Sequence, residues 1–111
     1  MLPSLATMTV LPDSLIDEVA HRFALLGDPT RLRVVRTLHD RGECSVREVA
    51  EASGTTLANA SQHLARLREG GVVRRRRVGR SARYSIADPT VEALCATVCD
   101  SVRLRIQALS A

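Results

Sequence analysis

The stretch from Ser53 to Ile86 constrains this chain most: S-G-T-T-L-A-N-A-S-Q-H-L-A-R-L-R-E-G-G-V-V-R-R-R-R-V-G-R-S-A-R-Y-S-I. It reads as a turn, a helix, a glycine break and a two-stranded ribbon. Gly54 interrupts what precedes it, and Thr55 or Thr56 can cap the helix that follows. Ala60, Leu64 and Leu67 recur at helical spacing and form one apolar face. At about 100° per residue, Ala58, Asn59, Gln62 and Arg66 point the other way. Gly70-Gly71 ends the helix. Val72-Val73 opens a strand, Val78-Gly79-Arg80 makes a hairpin tip, and Ala82 to Ile86 returns.

Arginine crowds the same stretch. Arg66, Arg68, Arg74, Arg75, Arg76, Arg77, Arg80 and Arg83 make up half of the chain's 16 basic residues, with Glu69 the one acid among them. A local positive surface beside an outward amide-bearing helix face points to nucleic acid: the arginines attract phosphate, and the amides can hydrogen-bond base edges. The expected DNA-facing set is Thr56, Asn59, Ser61, Gln62, His63 and Arg66 on the helix, with Arg74, Arg75, Arg76, Arg77 and Arg80 on the ribbon. Asn59 and Gln62 should reach bases. Thr56 and Ser61 lie nearer the backbone, and His63 supports the helix or touches phosphate. Side chains alternate along a strand, so Arg74 and Arg76 oppose Arg75 and Arg77, and one pair plus Arg80 suffices for contact.

The rest of the chain fits one small domain. At 111 residues there is no room for two independent cores. Phe23 and Tyr84 are the only aromatic residues, so the core is built from aliphatic side chains, and oligomerisation is expected as extra burial. Residues 1–12 read as a flexible arm, and 13–111 as the folded domain. Asp13 or Ser14 can cap a first helix with the stripe Leu15, Ile16, Val19, Phe23 and Leu26. Asp28-Pro29 restarts a helix with Leu32, Val35 and Leu38 inward. Ser45-Val46-Arg47-Glu48 is a capping-box pattern opening a short helix with Val46, Val49 and Ala50 inward. That helix, the turn at Ser53-Gly54 and the helix after it form a helix-turn-helix. Asp88-Pro89 opens a long last helix to about Leu109. Its stripe of Val91, Cys95, Val98, Val102 and Leu109 lacks an obvious partner in so small a monomer. With the first helix it should form a two-fold interface.

Four blocks in order, A-L-L-G-D-P-T-R-L-R-V-V, S-V-R-E-V-A, A-N-A-S-Q-H-L-A-R-L-R-E-G-G-V-V and G-R-S-A-R-Y-S-I-A-D, resemble the ArsR/SmtB family of bacterial transcriptional repressors. The resemblance covers roughly residues 15 to 105. It implies a mainly α winged helix-turn-helix of about five helices and a two-stranded wing. It also implies a homodimer that represses from a palindromic operator and is released by an inducer, commonly a metal or metalloid ion. The family's zinc site on the last helices would need histidines where Thr90 and Ser101 stand and an acid where Leu104 stands; only Asp88 matches. The Cys-x-Cys of its other common site falls on Ser45 and Arg47, beside Cys44.

Sensing therefore falls to Cys44, Cys95 and Cys99. Cys95 and Cys99, four apart on the last helix, are neighbours. Three thiolates suit As(III), Cd(II) or Pb(II), whereas Zn(II) wants a fourth ligand; no ion is needed for folding. An oxidant or persulfide acting on the same thiols is an alternative signal. A DNA-binding protein with no inducer and structural cysteines is another, since a thiol also packs as a small apolar group. His21 and His39 read as surface residues. No Ser/His/Asp arrangement, glycine-rich phosphate loop or Cys-x-x-Cys is present, which argues against an enzyme. Without a signal peptide or a long apolar run, a cytoplasmic protein with no membrane partner is expected.

Overall fold

The computed structural model describes residues 11–110; the expected arm lies largely outside them. Five helices and three strands follow in order among the described residues: α1 (Asp13–Leu26), α2 (Pro29–Arg41), β1 (Cys44–Ser45), α3 (Val46–Ser53), α4 (Leu57–Glu69), β2 (Val73–Val78), β3 (Ser81–Ile86) and α5 (Pro89–Ser110). None of these helices is long and apolar enough to cross a membrane.

Local chemistry sets most boundaries. The N-cap of α1 is Pro12, with no side-chain cap, so neither Asp13 nor Ser14 caps it. Asp13 lies in the first turn, where the helix dipole favours an acid. Asp28 accepts the Arg31 amide at 2.9 Å, and Pro29 begins α2. Ser45 and Glu48 form the full capping box of α3, at 3.2 and 3.0 Å. Gly54 ends α3 in the left-handed conformation at φ 69°, which only glycine adopts without strain. Two residues on, Thr56 accepts the Asn59 amide and caps α4. Asp88 holds the start of α5 through the Thr90 amide at 3.0 Å.

The core lies where α2, α3, α4 and the sheet converge. Val34, Leu38, Val49, Leu64, Leu67 and Val72 are its largest fully enclosed side chains, with at most 1% exposure. Ala60, Leu64 and Leu67 all face inward as expected. In α2 the inward set differs: Leu32 is 42% exposed, and Val34, Val35, Thr37 and Leu38 are buried. Thr37 is tolerated because its hydroxyl donates to the Arg33 carbonyl at 2.8 Å.

The sheet has three strands rather than two. Its order is β1-β3-β2, all antiparallel, with Cys44 opposite Tyr84 and Arg75 opposite Tyr84 on the other side. The short β1 ties the wing to the base of the helix-turn-helix. Gly79, at φ 61°, opens the two-residue hairpin tip.

Candidate nucleic-acid interface and sensing groups

The helix-turn-helix presents α4 with one face enclosed and the other open. Ala58, Asn59, Ser61, Gln62 and Arg66 are all exposed. Thr56 is exposed too, but its hydroxyl oxygen is occupied as the cap of α4. His63 is the exception in the expected set. It is half-buried, and its Nδ1 is enclosed without a hydrogen-bond partner among the described residues.

Residues directly opposite across a ladder share a face. Arg76 pairs with Arg83, and Arg83 with Ser45, so Arg74, Arg76 and Arg83 lie on the outer face of the sheet. That face is furnished with acids. Glu43 accepts from Arg76 Nε at 3.0 Å and from Nη2 of the same guanidinium. Arg83 donates to Glu48 at 3.1 Å and to the Glu43 carbonyl at 3.1 Å. Arg74 reaches the Ala87 carbonyl at 3.4 Å. The hydrogen bond from Arg76 holds the Glu43 carboxyl below its ordinary range, and the Ser45 amide does the same for Glu48.

Arg75 and Arg77 lie on the opposite face, in register with Tyr84 and Ala82. They are exposed, as is Arg80 at the tip, and among the described residues none of the three has an acidic partner. The strand alternation was readable in the sequence. Which face is neutralised was not, because Glu43 and Glu48 come from a distant segment.

A family model for a helix-turn-helix domain matches residues 26–76. The probable mercury resistance operon repressor of Streptomyces lividans is 41% identical over 88 residues, 79% of this chain and 69% of that protein. KmtR, a helix-turn-helix transcriptional regulator of Mycobacterium tuberculosis, is 42% identical over 84 residues, 76% of this chain and 64% of KmtR, so the match leaves about a third of that relative uncovered. Among solved structures, the homodimeric winged helix-turn-helix domain of Mb0332 from Mycobacterium bovis, described as a possible ArsR-family regulator, superposes with a TM-score of 0.77. It is 33% identical, with 88% of this chain and 93% of that one covered. The chain belongs to the ArsR/SmtB family.

In this ArsR/SmtB chain the three cysteines occupy different settings. Cys44 is fully buried in the core, Cys95 half-buried and Cys99 exposed. Burial raises the thiol pKa of both Cys44 and Cys95, which disfavours the free thiolate. Cys95 and Cys99 line one groove of about 700 Å³ between α1, α2 and α5. Cys44 is not among that groove's lining, and among the described residues no three His, Cys, Asp or Glu are grouped to hold a metal ion. The grouping of Cys44 with the other two is thus not formed within the protomer.

One groove residue was not foreseen as more than a surface group. His39, in the last turn of α2, contacts Glu92 of α5 through Nδ1, and the hydrogen bond raises its pKa. Fifty-three residues separate the two, and no local pattern announces such a pair.

Proposed function

We propose that this chain is a homodimeric DNA-binding transcriptional repressor, released from its operator by a thiophilic ion held by cysteines. The observation that carries the DNA-binding reading is the open face of α4 flanked by a wing with Arg75, Arg77 and Arg80 unneutralised. Asn59 and Gln62 read base edges in the major groove, and the three wing arginines meet phosphate. A two-fold dimer placing two α4 helices about 34 Å apart would fit successive major grooves.

Apolar surface on the two terminal helices supports the dimer. Leu15, Ile16, Val19 and Phe23 of α1 are 38–54% exposed in the monomer, and Val98, Val102 and Leu109 of α5 are 50–78% exposed. Val91 and Leu26, which end the expected stripes nearest the core, are the members that the monomer buries.

For the signal, the burial of Cys95 favours an ion over an oxidant. An oxidant needs the thiolate already formed, whereas a soft cation displaces the proton as it binds. The mercury repressor's name also joins this kind of sequence to a soft metal. As(III), Cd(II) and Pb(II) are the candidate ions. Operator binding titrated with each of them, and with an oxidant, tests the reading on wild type and on Cys44→Ser, Cys95→Ser and Cys99→Ser. Loss of DNA binding with an ion, abolished in Cys95→Ser, is expected. Equal responses from all three variants and wild type would place the signal elsewhere.

A further inference from the structure

We propose that Cys95 and Cys99 alone hold the inducer, as a two-thiolate site whose fitting ion is Hg(II). The proposal rests on the reading of a thiophilic inducer and names the ion that the site's geometry fits.

Two thiols within reach of each other carry it. Cys95 and Cys99 are about one turn apart on α5, separated by about 40° around the helix and about 6 Å along it. Side chains so spaced have Cβ atoms about 5–6 Å apart. A linear sulfur–ion–sulfur unit with bonds of about 2.3 Å spans roughly 4.6 Å. Two sulfurs standing on those Cβ atoms can therefore close on one ion by side-chain rotation. Both residues line the groove between α1, α2 and α5. Cys99 is exposed, and Cys95 is half-buried against the core. An ion thus arrives from solvent at Cys99 and is drawn inward at Cys95.

The donor count selects the ion. Every Cys, His, Asp and Glu of the chain falls within residues 11–110, and among these described residues no three are grouped to hold an ion. Cys44 lies in the core and does not line the groove. As(III), which three thiolates suit, and Cd(II), which takes more donors still, would each keep open positions on two thiolates. Hg(II), a soft cation, is satisfied by two thiolates in line.

Charge points the same way. Two thiolates and one Hg(II) sum to zero, whereas the same pair on Cu(I) or Ag(I) keeps one negative charge, which burial penalises. Phe23, Leu26, Leu94 and Val98 line the groove with apolar surface that suits a neutral unit. Burial raises the Cys95 thiol pKa, so this residue meets the ion as a thiol. On capture two S–H bonds break, two S–Hg bonds form and two protons go to solvent. No electron is transferred.

Mercuric chloride titrated into the reduced full chain, with excess glutathione as a competing monothiol, tests the proposal. Retained mercury is counted after desalting, and its shell is read by X-ray absorption at the mercury edge. Wild type should retain one Hg(II) per protomer with two sulfur neighbours. Cys95→Ser and Cys99→Ser should each lower retention ~100-fold or more, the lower end of what joining two ligands on one scaffold provides. Cys44→Ser leaves both ligands in place and should retain the ion like wild type. A shell of three or more sulfurs, undiminished retention in Cys99→Ser, or loss of the ion from wild type to glutathione would overturn the two-thiolate site. Operator binding by the same samples separates this site from the reading beneath it. A two-sulfur shell on a chain that still holds its operator would uphold the site and overturn the inducer reading. Operator release by As(III) or Cd(II) but not by Hg(II) would overturn the assignment of Hg(II) and leave thiol sensing intact.

Discussion

Removing the two faces of the wing separately should separate phosphate contacts from structural arginines. Arg75 and Arg77 have no acidic partner among the described residues, whereas Arg76 is held by Glu43, and Arg74 by a backbone carbonyl. Each phosphate neutralised contributes about 0.9 to the slope of log affinity against log salt. Arg75→Ala with Arg77→Ala removes four contacts from a dimer, so the slope should flatten by roughly 3.5. Between about 50 and 200 mM salt, wild type should then lose roughly 150-fold more affinity than the variant. Arg74→Ala with Arg76→Ala should change the slope by less than about 1. Glu43→Gln should steepen it, since Arg76 is released to seek phosphate. Fluorescence anisotropy on one duplex over a salt series reads all three slopes. Equal flattening by the two double variants, or no steepening with Glu43→Gln, would refute the assignment of faces.

Three further outcomes test the fold beneath that surface. Ser45→Ala removes the capping-box acceptor of α3 and should cost about 1 kcal/mol in urea denaturation. Cys44→Ser places a hydroxyl in a fully enclosed apolar site and should cost about 1–3 kcal/mol, whereas Cys99→Ser at an exposed site should change stability by less than about 0.5 kcal/mol. Acid should destabilise the fold. Asp28, Glu43, Glu48 and Asp88 all titrate below their ordinary values when folded, led at Asp88 by the Thr90 hydroxyl. The unfolded chain therefore binds more protons, and stability is present above the ordinary carboxylate range near pH 4 and is lost as pH falls through the depressed values. Thermal melts that stay flat from pH 6 to about 3 would contradict this.

What could be read from residues alone divides by distance along the chain. Ser45 and Glu48 are three apart, as are Thr56 and the amide it caps, so the chemistry of both caps is local and legible. Ala60, Leu64 and Leu67 were legible because helical periodicity needs only one element. The β1 strand was not, since two residues carry no alternation, and its pairing with Tyr84 is set by tertiary packing. The inward face of α2 was legible at Val35 and Leu38, which are buried, but not at Leu32, which is exposed. Val34 is enclosed where Leu32 was expected, because contacts with α3 and α4 fix the helix's rotation and a dense apolar run does not. In the interface, the polar face of α4 was visible, but His63 turned partly inward. The choice between arginine pairs depended on Glu43, 33 residues from Arg76. The His39–Glu92 contact was equally out of reach of any local pattern.

In the proposed repressor, α4 and the wing should together read a two-fold DNA sequence. Selection of duplexes bound by the full chain from a random library measures this. Enrichment of an inverted repeat with half-site centres about one helical turn apart, read through Gln62, is expected. Gln62→Ala should then weaken binding to that sequence by about 1–3 kcal/mol and to random duplex by less. Recovery of unenriched sequence, with Gln62→Ala weakening both duplexes alike, would contradict it.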